Sequence, residues 1–411
     1  MKPLKALVIT PIYPSPDNPQ AGIFIHRQIV NLNRLGVECR VLVYRPAPPP
    51  FPLWLRRRSW LRYYWGKLGW PRSLDGVRTD TVFYKRLWVK DEDVVPEIGE
   101  ALVRHIEAHR ELSDTDVVYA HFLWTAGAAA LRVREKFGWP VAAIARGSEM
   151  HEWQELYPSC RPHVENTLRQ ADQILANCAD LKDRAIRFVP DMTSPVEVIY
   201  NGCDIEKFRP TQDRSSLRRE LRLNADARLL LFCGAIEERK GIGELMEAWR
   251  GFSEAHPEWQ LVVVGRAADK RLASRLRQTE GVLIAGQVPH ERVVKYLQAA
   301  DAYIQPSRLE GLANATMEAM AAGLPVITTD TCGQRELIED GVNGWLVPPN
   351  NADALRQAVE SLADDLEQAK RMGEAARRTI ETKFNPQIET ARLADILRKT
   401  ARISAPEVLS L

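Results

Sequence analysis

Twelve short apolar runs, separated by longer stretches of helical period, constrain this chain more than any other feature. The first six are KALVIT (5–10), ECRVLVY (38–44), DVVYA (116–120), PVAAIA (140–145), QILAN (173–177) and VEVIY (196–200). The second six are RLLLFCG (228–234), QLVVVG (260–265), VLIAG (282–286), AYIQPS (302–307), PVITT (325–329) and GWLVPP (344–349). Runs without polar alternation suit strands covered on both faces, as in parallel sheets with crossover helices. Two such sets in series predict an α/β protein of two doubly wound, Rossmann-like domains. Length agrees, because 411 residues exceed one core and divide naturally into two domains of about 200 residues. The turn-rich segment YNGCDIEKFRP (200–210) marks the seam. The predicted division is an N-terminal domain over 1–203, a C-terminal domain over 204–384, and a last helix in 385–411 that crosses back to the first domain.

A formal net charge of +2 gives no reason to expect nucleic acid as a partner. The charge is uneven, with 16 Lys/Arg against 4 Asp/Glu in residues 1–90 and 11 against 20 in residues 91–205. Residues 51–72 hold six Lys/Arg, no acid, and Trp54, Trp60, Trp65 and Trp70. Aromatics mixed with cations suit an anionic bilayer interface, where each cation adds about 1 kcal/mol. The competing reading is a surface excursion packed on the first domain, since Arg58 interrupts the face formed by Trp54, Leu61 and Trp65. No run reaches membrane-spanning length, and the amino-terminal apolar run is too short for a signal peptide. Six scattered cysteines without CxxC spacing suggest free thiols in a reducing compartment and no zinc site. The expected location is cytoplasmic, with peripheral contact on the inner face of the cell membrane through 51–72.

Doubly wound sheets bind ligands outside the carboxyl ends of their strands. That rule turns the strand list into a site list. Gly22 precedes a helix after the first run, His121 ends DVVYA, and Arg146 follows PVAAIA within RGSE. Arg239 and Lys240 follow RLLLFCG, Arg266 follows QLVVVG, and EGLANATMEAMAAGLP (310–325) follows AYIQPS. In that last segment a helix is expected from Ala313 or Asn314 to Ala322, with Gly323 and Pro325 as stop signals. The backbone N–H groups of Leu312 to Thr316 then form an open helix start, suited to a diphosphate. Gly311, Ala313 and Ala315 leave room for a phosphate to approach the backbone. Glu318 lies on the face shared with Asn314, about 6 Å further along the axis, where it can accept ribose hydroxyls. Glu310, on the other side of the phosphates, can accept hydroxyls of whatever the diphosphate carries. A phosphate cradle flanked by two carboxylates describes a sugar nucleotide. An isolated pair of glutamates near a helix start would mean only dipole complementation; Arg239–Lys240 and the strand context make the case.

These segments resemble family-4 retaining glycosyltransferases of GT-B fold, whose two domains face one another across a cleft. PSRLEGLANATMEAMAAGLPVITTD followed by GQRELIEDGVNGWLVPP is similar to the family's donor-site signature. YNGCDIEKFRP is similar to its interdomain segment, FCGAIEERKGI to its diphosphate loop, DVVYAHF to its histidine strand, and PIYPSPDNPQAGIFIHRQ to its first loop. The resemblance covers nearly the whole chain and is weakest in 46–100. It implies that Glu310 holds the donor sugar, Glu318 the ribose, and Lys240 with the amides around Leu312–Thr316 the diphosphate. It further implies that Gly22 brings the first loop against the phosphates, that His121 sits beside the sugar and acceptor, and that backbone near IAGQV (284–288) holds the base. No metal and no cofactor are implied, the donor being a substrate. One departure stands out: where the family has an arginine after the glycine of FCG, this chain has Ala235, which leaves Arg239 as the substitute.

Other residues carry bland readings beside these. Arg146 either faces the acceptor or pairs with Glu149 or Glu152; Arg266 is either a donor contact or part of a solvated loop. Asn201 and Asp204 are read as turn formers, and Glu336 as the cap of the short helix after CGQ. The function expected is transfer of a sugar from a nucleoside diphosphate to a glycan or lipid-linked acceptor, with retention, in bacterial polysaccharide, cell-wall or glycolipid assembly. UDP- and GDP-sugars are both open as donors. Two alternatives remain: a nucleotide-sugar epimerase of similar fold, recognised by acceptor-independent change in the sugar, and a membrane-bound non-catalytic subunit, recognised by donor binding without product.

Overall fold

All twelve apolar runs form strands in parallel pairings. In the computed structural model, which describes residues 3–15, 18, 21–47, 73–86, 93–150 and 157–403, they fall into two sheets. The chain divides into two units, Met1–Ile199 with Gln387–Leu411, and Tyr200–Pro386.

The first unit carries β1 (Leu4–Thr10), β2 (Val37–Pro46), β3 (Ser73–Leu74), β4 (Val77–Tyr84), β5 (Val117–His121), β6 (Val141–Ala145), β7 (Gln173–Ala176) and β8 (Val196–Val198). Their order in the sheet is β3-β4-β2-β1-β5-β6-β7-β8. Central strands are buried throughout, as β5 and β6 show, because helices cover both faces. The sequence reading missed β3 and β4. The segment VRTDTVFY mixes exposed and buried positions, since it lies near the sheet edge, where cover is incomplete. β3 pairs antiparallel with β4 as a short hairpin, and β4 pairs parallel with β2. The last helix, Pro386–Ile403, joins this unit: Leu393, Ala394, Ile396 and Leu397 sit in one cluster with Val8, Ile25 and Val41. Each large side chain so buried contributes about 1.5–3 kcal/mol.

The second unit carries β9 (Arg228–Cys233), β10 (Trp259–Val264), β11 (Val282–Gly286), β12 (Ala302–Gln305), β13 (Val326–Thr329) and β14 (Trp345–Val347). The order is β11-β10-β9-β12-β13-β14, all parallel. Its core gathers Leu230, Phe232, Trp249, Phe252, Leu261 and Ile304. The six cysteines are free thiols, five buried and Cys332 half-buried. Among the described residues no helix is long and apolar enough to cross a membrane. The tryptophan-rich stretch 51–72 lies outside the described residues.

Candidate active site

The strand orders decide where a ligand crevice can open. In the second sheet the winding reverses between β9 and β12, so the loops after these strands diverge to opposite faces. The loop after β9 ends in a single tight turn, Glu238–Lys240, and the helix Ile242–Ser253 follows it. The loop after β12 leads to the helix Asn314–Ala321. Lys240 comes from one loop and Glu310 from the other, 70 positions apart, and their side chains form an ion pair. Both are mostly shielded, with side chains 14% and 17% exposed. Two backbone contacts hold the loops together. The Arg308 N–H donates to the Arg239 carbonyl at 2.9 Å. Gly241, at φ +68°, lies so close to Pro306 that a Cβ would fall 1.8 Å from the Pro306 carbonyl oxygen.

The helix Asn314–Ala321 starts at one of the two expected positions and ends just before Gly323 and Pro325, the expected stop signals, and no side chain caps its start. Leu312, Ala313 and Thr316 are buried, while Gly311, Asn314 and Ala315 are half-buried. A Cβ built on Gly311 meets nothing within 4 Å, so the protein's own packing does not demand glycine there. Glu318 is 8% exposed, and its Oε1 lies 3.0 Å from His290 Nε2, a partner the sequence reading missed. His290 begins the helix His290–Ala299 after β11, and only the fold brings it to Glu318.

The neighbouring polar residues separate into fixed and outward ones. Asn201 Nδ2 donates to Asn314 Oδ1 at 3.2 Å, which ties the turn at 200–203 to the helix start. Asp204 Oδ1 accepts from the N–H groups of Glu206 and Lys207, the turn role expected of it. Glu336 lies in the first turn of the short helix Gln334–Leu337, and its Oε2 accepts from the Tyr200 hydroxyl at 2.8 Å. Arg239 pairs with Glu237 at 3.3 Å and leaves 43% of its side chain exposed. It is therefore less enclosed than Lys240. Arg266 is exposed, and its carbonyl accepts from Ile236 N–H. Gln334, fully buried, has neither amide atom hydrogen-bonded among the described residues, a feature no motif signalled.

In the first unit the reversal falls between β1 and β5. Gly22 sits at the start of the helix Ile23–Arg34 after β1, with φ +65° and the Ile12 carbonyl 2.7 Å from where a Cβ would lie. Local packing alone thus requires glycine. His121 is the last residue of β5 and fully buried. A ligand reaches its ring only if the groups covering it move. The next residue, Phe122, adopts φ +81°, costly for a side chain of this size by about 1–3 kcal/mol. Arg146 Nη2 lies 2.8 Å from His121 Nδ1 and 3.4 Å from Gln28 Oε1, and its guanidinium stands 5.0 Å from the Phe24 ring centre. The Glu149 carboxylate accepts from Arg146 N–H at 2.9 Å and Leu123 N–H at 3.3 Å. Burial and then the adjacent Arg146 cation hold the His121 pKa well below its ordinary value, while burial raises that of Glu149. Among the described residues no group of three or more His, Cys, Asp or Glu could hold a metal ion.

Comparison with known proteins bears on the same two halves. The family "Glycosyltransferase Family 4" matches residues 21–207, and "Glycosyl transferases group 1" matches residues 213–379. An amylovoran biosynthesis glycosyltransferase of Erwinia amylovora is 30% identical over 72% of this chain and 73% of its own length. A Bacillus subtilis glycosyltransferase assigned to teichuronic acid biosynthesis is 28% identical over 87% of this chain and 88% of its own length. The solved structure of Anabaena HepE in complex with UDP-glucose superposes with a TM-score of 0.72 at 16% identity, covering 96% of this chain and all of that one; at such identity the likeness speaks for the fold. The two matched halves and the 30% identical relative make the chain a member of the group 1, family-4 glycosyltransferases, with the GT-B fold.

Proposed function

We propose that the protein transfers a sugar from a nucleoside diphosphate to an acceptor hydroxyl, with retention of anomeric configuration and without a metal. The observation that carries this reading is the shielded Lys240–Glu310 pair at the sheet's winding reversal, beside the uncapped start of the helix Asn314–Ala321. Lys240 supplies positive charge where a leaving diphosphate gathers negative charge, and the helix start adds oriented N–H groups. Glu310 and Glu318 accept hydroxyls of the sugar and the ribose. Because no protein carboxylate is needed as nucleophile, an oxygen of the donor phosphate takes the acceptor's proton. HepE, named above in complex with UDP-glucose, and the polysaccharide names of the two relatives support a sugar nucleotide donor and a bacterial glycan product. The cationic, tryptophan-rich stretch 51–72 supports peripheral contact with the inner face of the cell membrane, which would suit a lipid-linked acceptor.

The deciding assay incubates the protein with a panel of UDP- and GDP-sugars and glycan or polyprenyl acceptors, in the presence of EDTA, and follows nucleotide release and product anomer. Retained configuration in EDTA is the expected result; an inverted product, a need for added metal, or acceptor-independent epimerisation overturns the reading. Gly311→Ala isolates the phosphate cradle. Open space surrounds this position, so the melting temperature should stay within about 1–2 °C, corresponding to roughly 0.5 kcal/mol. The donor KM should nevertheless rise about tenfold, as a methyl group blocks close approach of a phosphate. An unchanged KM would move the diphosphate elsewhere.

A further inference from the structure

The contact between Arg146 and His121 has a chemical consequence that follows from donor and acceptor bookkeeping. A guanidinium has only donors, so Arg146 Nη2, 2.8 Å from His121 Nδ1, must donate to a lone pair on that nitrogen. The ring proton then resides on Nε2. Nε2 is buried and makes no hydrogen bond among the described residues, although buried donors are nearly always satisfied. The strained Phe122 backbone directly follows it, at the carboxyl end of β5, the strand next to the sheet's winding reversal.

We infer that Arg146 is a positioning residue that fixes His121 as the uncharged Nε2–H tautomer, so that the ring offers a ligand oxygen a hydrogen-bond donor and no base. The inference rests on the glycosyltransferase reading and deepens it: Arg146 acts through His121 and not on the acceptor. The ligand atom it calls for is a hydroxyl or phosphate oxygen of the sugar nucleotide. Among the described residues, the charged and titratable groups nearest the ring agree with a neutral imidazole. Arg146 repels a second ring proton. Tyr119, whose ring centre lies 4.4 Å away, has its pKa pushed up to about 12 by burial and stays protonated. Glu149 Oε1 accepts from the backbone N–H groups of Leu123 and Arg146. Gln28 anchors the arrangement from the other side, since its Oε1 also accepts from the Tyr119 hydroxyl at 3.0 Å.

The test is nitrogen and carbon NMR on the full chain labelled at histidine, with His121 assigned by the signals lost in His121→Gln. The wild-type ring should show the Nε2–H pattern unchanged from pH 8 to pH 5.5. In Arg146→Leu the two tautomers should mix, whereas Arg146→Lys, which keeps a donor, should hold the pattern. An Nδ1–H or doubly protonated ring in the wild type at pH 7 overturns the inference, as does an unaltered pattern in folded Arg146→Leu. Should that variant fail to fold, the wild-type spectrum still decides. With transfer as readout, Arg146→Leu should lower kcat/KM about tenfold, the factor one ordinary hydrogen bond represents, with Arg146→Lys recovering most of it. If the wild type transfers no sugar yet shows the pinned tautomer, the glycosyltransfer reading fails and the tautomer assignment stands.

Discussion

Lys240→Ala is expected to lower kcat for sugar transfer by about 10²–10³-fold, the loss typical of removing one preorganised electrostatic partner of a developing anion. Donor affinity should fall less than kcat, because the charge on the bridging oxygen grows only as the sugar–phosphate bond breaks. Stability should fall as well. Glu310 has its side chain 17% exposed and would lose its cationic partner, at about 1–3 kcal/mol for a poorly solvated group left unpaired. The double variant Lys240→Ala/Glu310→Ala separates the two effects. It should recover stability relative to Lys240→Ala while remaining as inactive, since the buried charge is gone but the diphosphate contact is not restored. Steady-state kinetics and thermal melts on the four proteins complete the cycle. Full activity in either single variant would remove this pair from the chemistry.

Gly241→Ala should be strongly damaging to the second unit's site. Its backbone sits at φ +68°, and the new Cβ would be placed 1.8 Å from the Pro306 carbonyl oxygen. A left-handed conformation costs an alanine about 1–2 kcal/mol, and forced overpacking adds about 1–3 kcal/mol. The sum of about 2–5 kcal/mol corresponds to a drop in melting temperature of about 4–20 °C for a unit of this size. The loops after β9 and β12 can relieve the clash only by separating, which would stretch the Arg308–Arg239 backbone bond and draw Lys240 away from Glu310. Activity should therefore fall even in protein that remains folded at the assay temperature. Gly311→Ala provides the contrast, since it adds the same methyl group on the opposing loop, after β12, where nothing stands in its way. Equal melting temperatures for the two variants would contradict the close loop packing.

The division between what the chain announces and what only folding reveals follows from the range of the forces involved. Parallel strands covered on both faces need unbroken apolar runs, so β1, β2 and β5 through β14 are written locally, and so is the end of the helix Asn314–Ala321, through Gly323 and Pro325. Strand β4 escapes the same reading because an outer strand tolerates exposed side chains. The residue types at the strand ends, Lys240, Glu310, Glu318, His121 and Arg146 among them, are likewise local facts, each placed by the strand before it. Which of them meet is not. Lys240 finds Glu310 across 70 residues, His290 finds Glu318 across 28, and Arg146 finds His121 across 25. Those pairings depend on strand order, and a doubly wound sheet reverses its winding at a point no local pattern records. The amino-acid order by itself thus determined the strands and the polar residues offered at their ends. The tertiary structure decided which cation stands against which carboxylate, and which histidine nitrogen carries the proton, because both are settled by contacts between segments far apart in the chain.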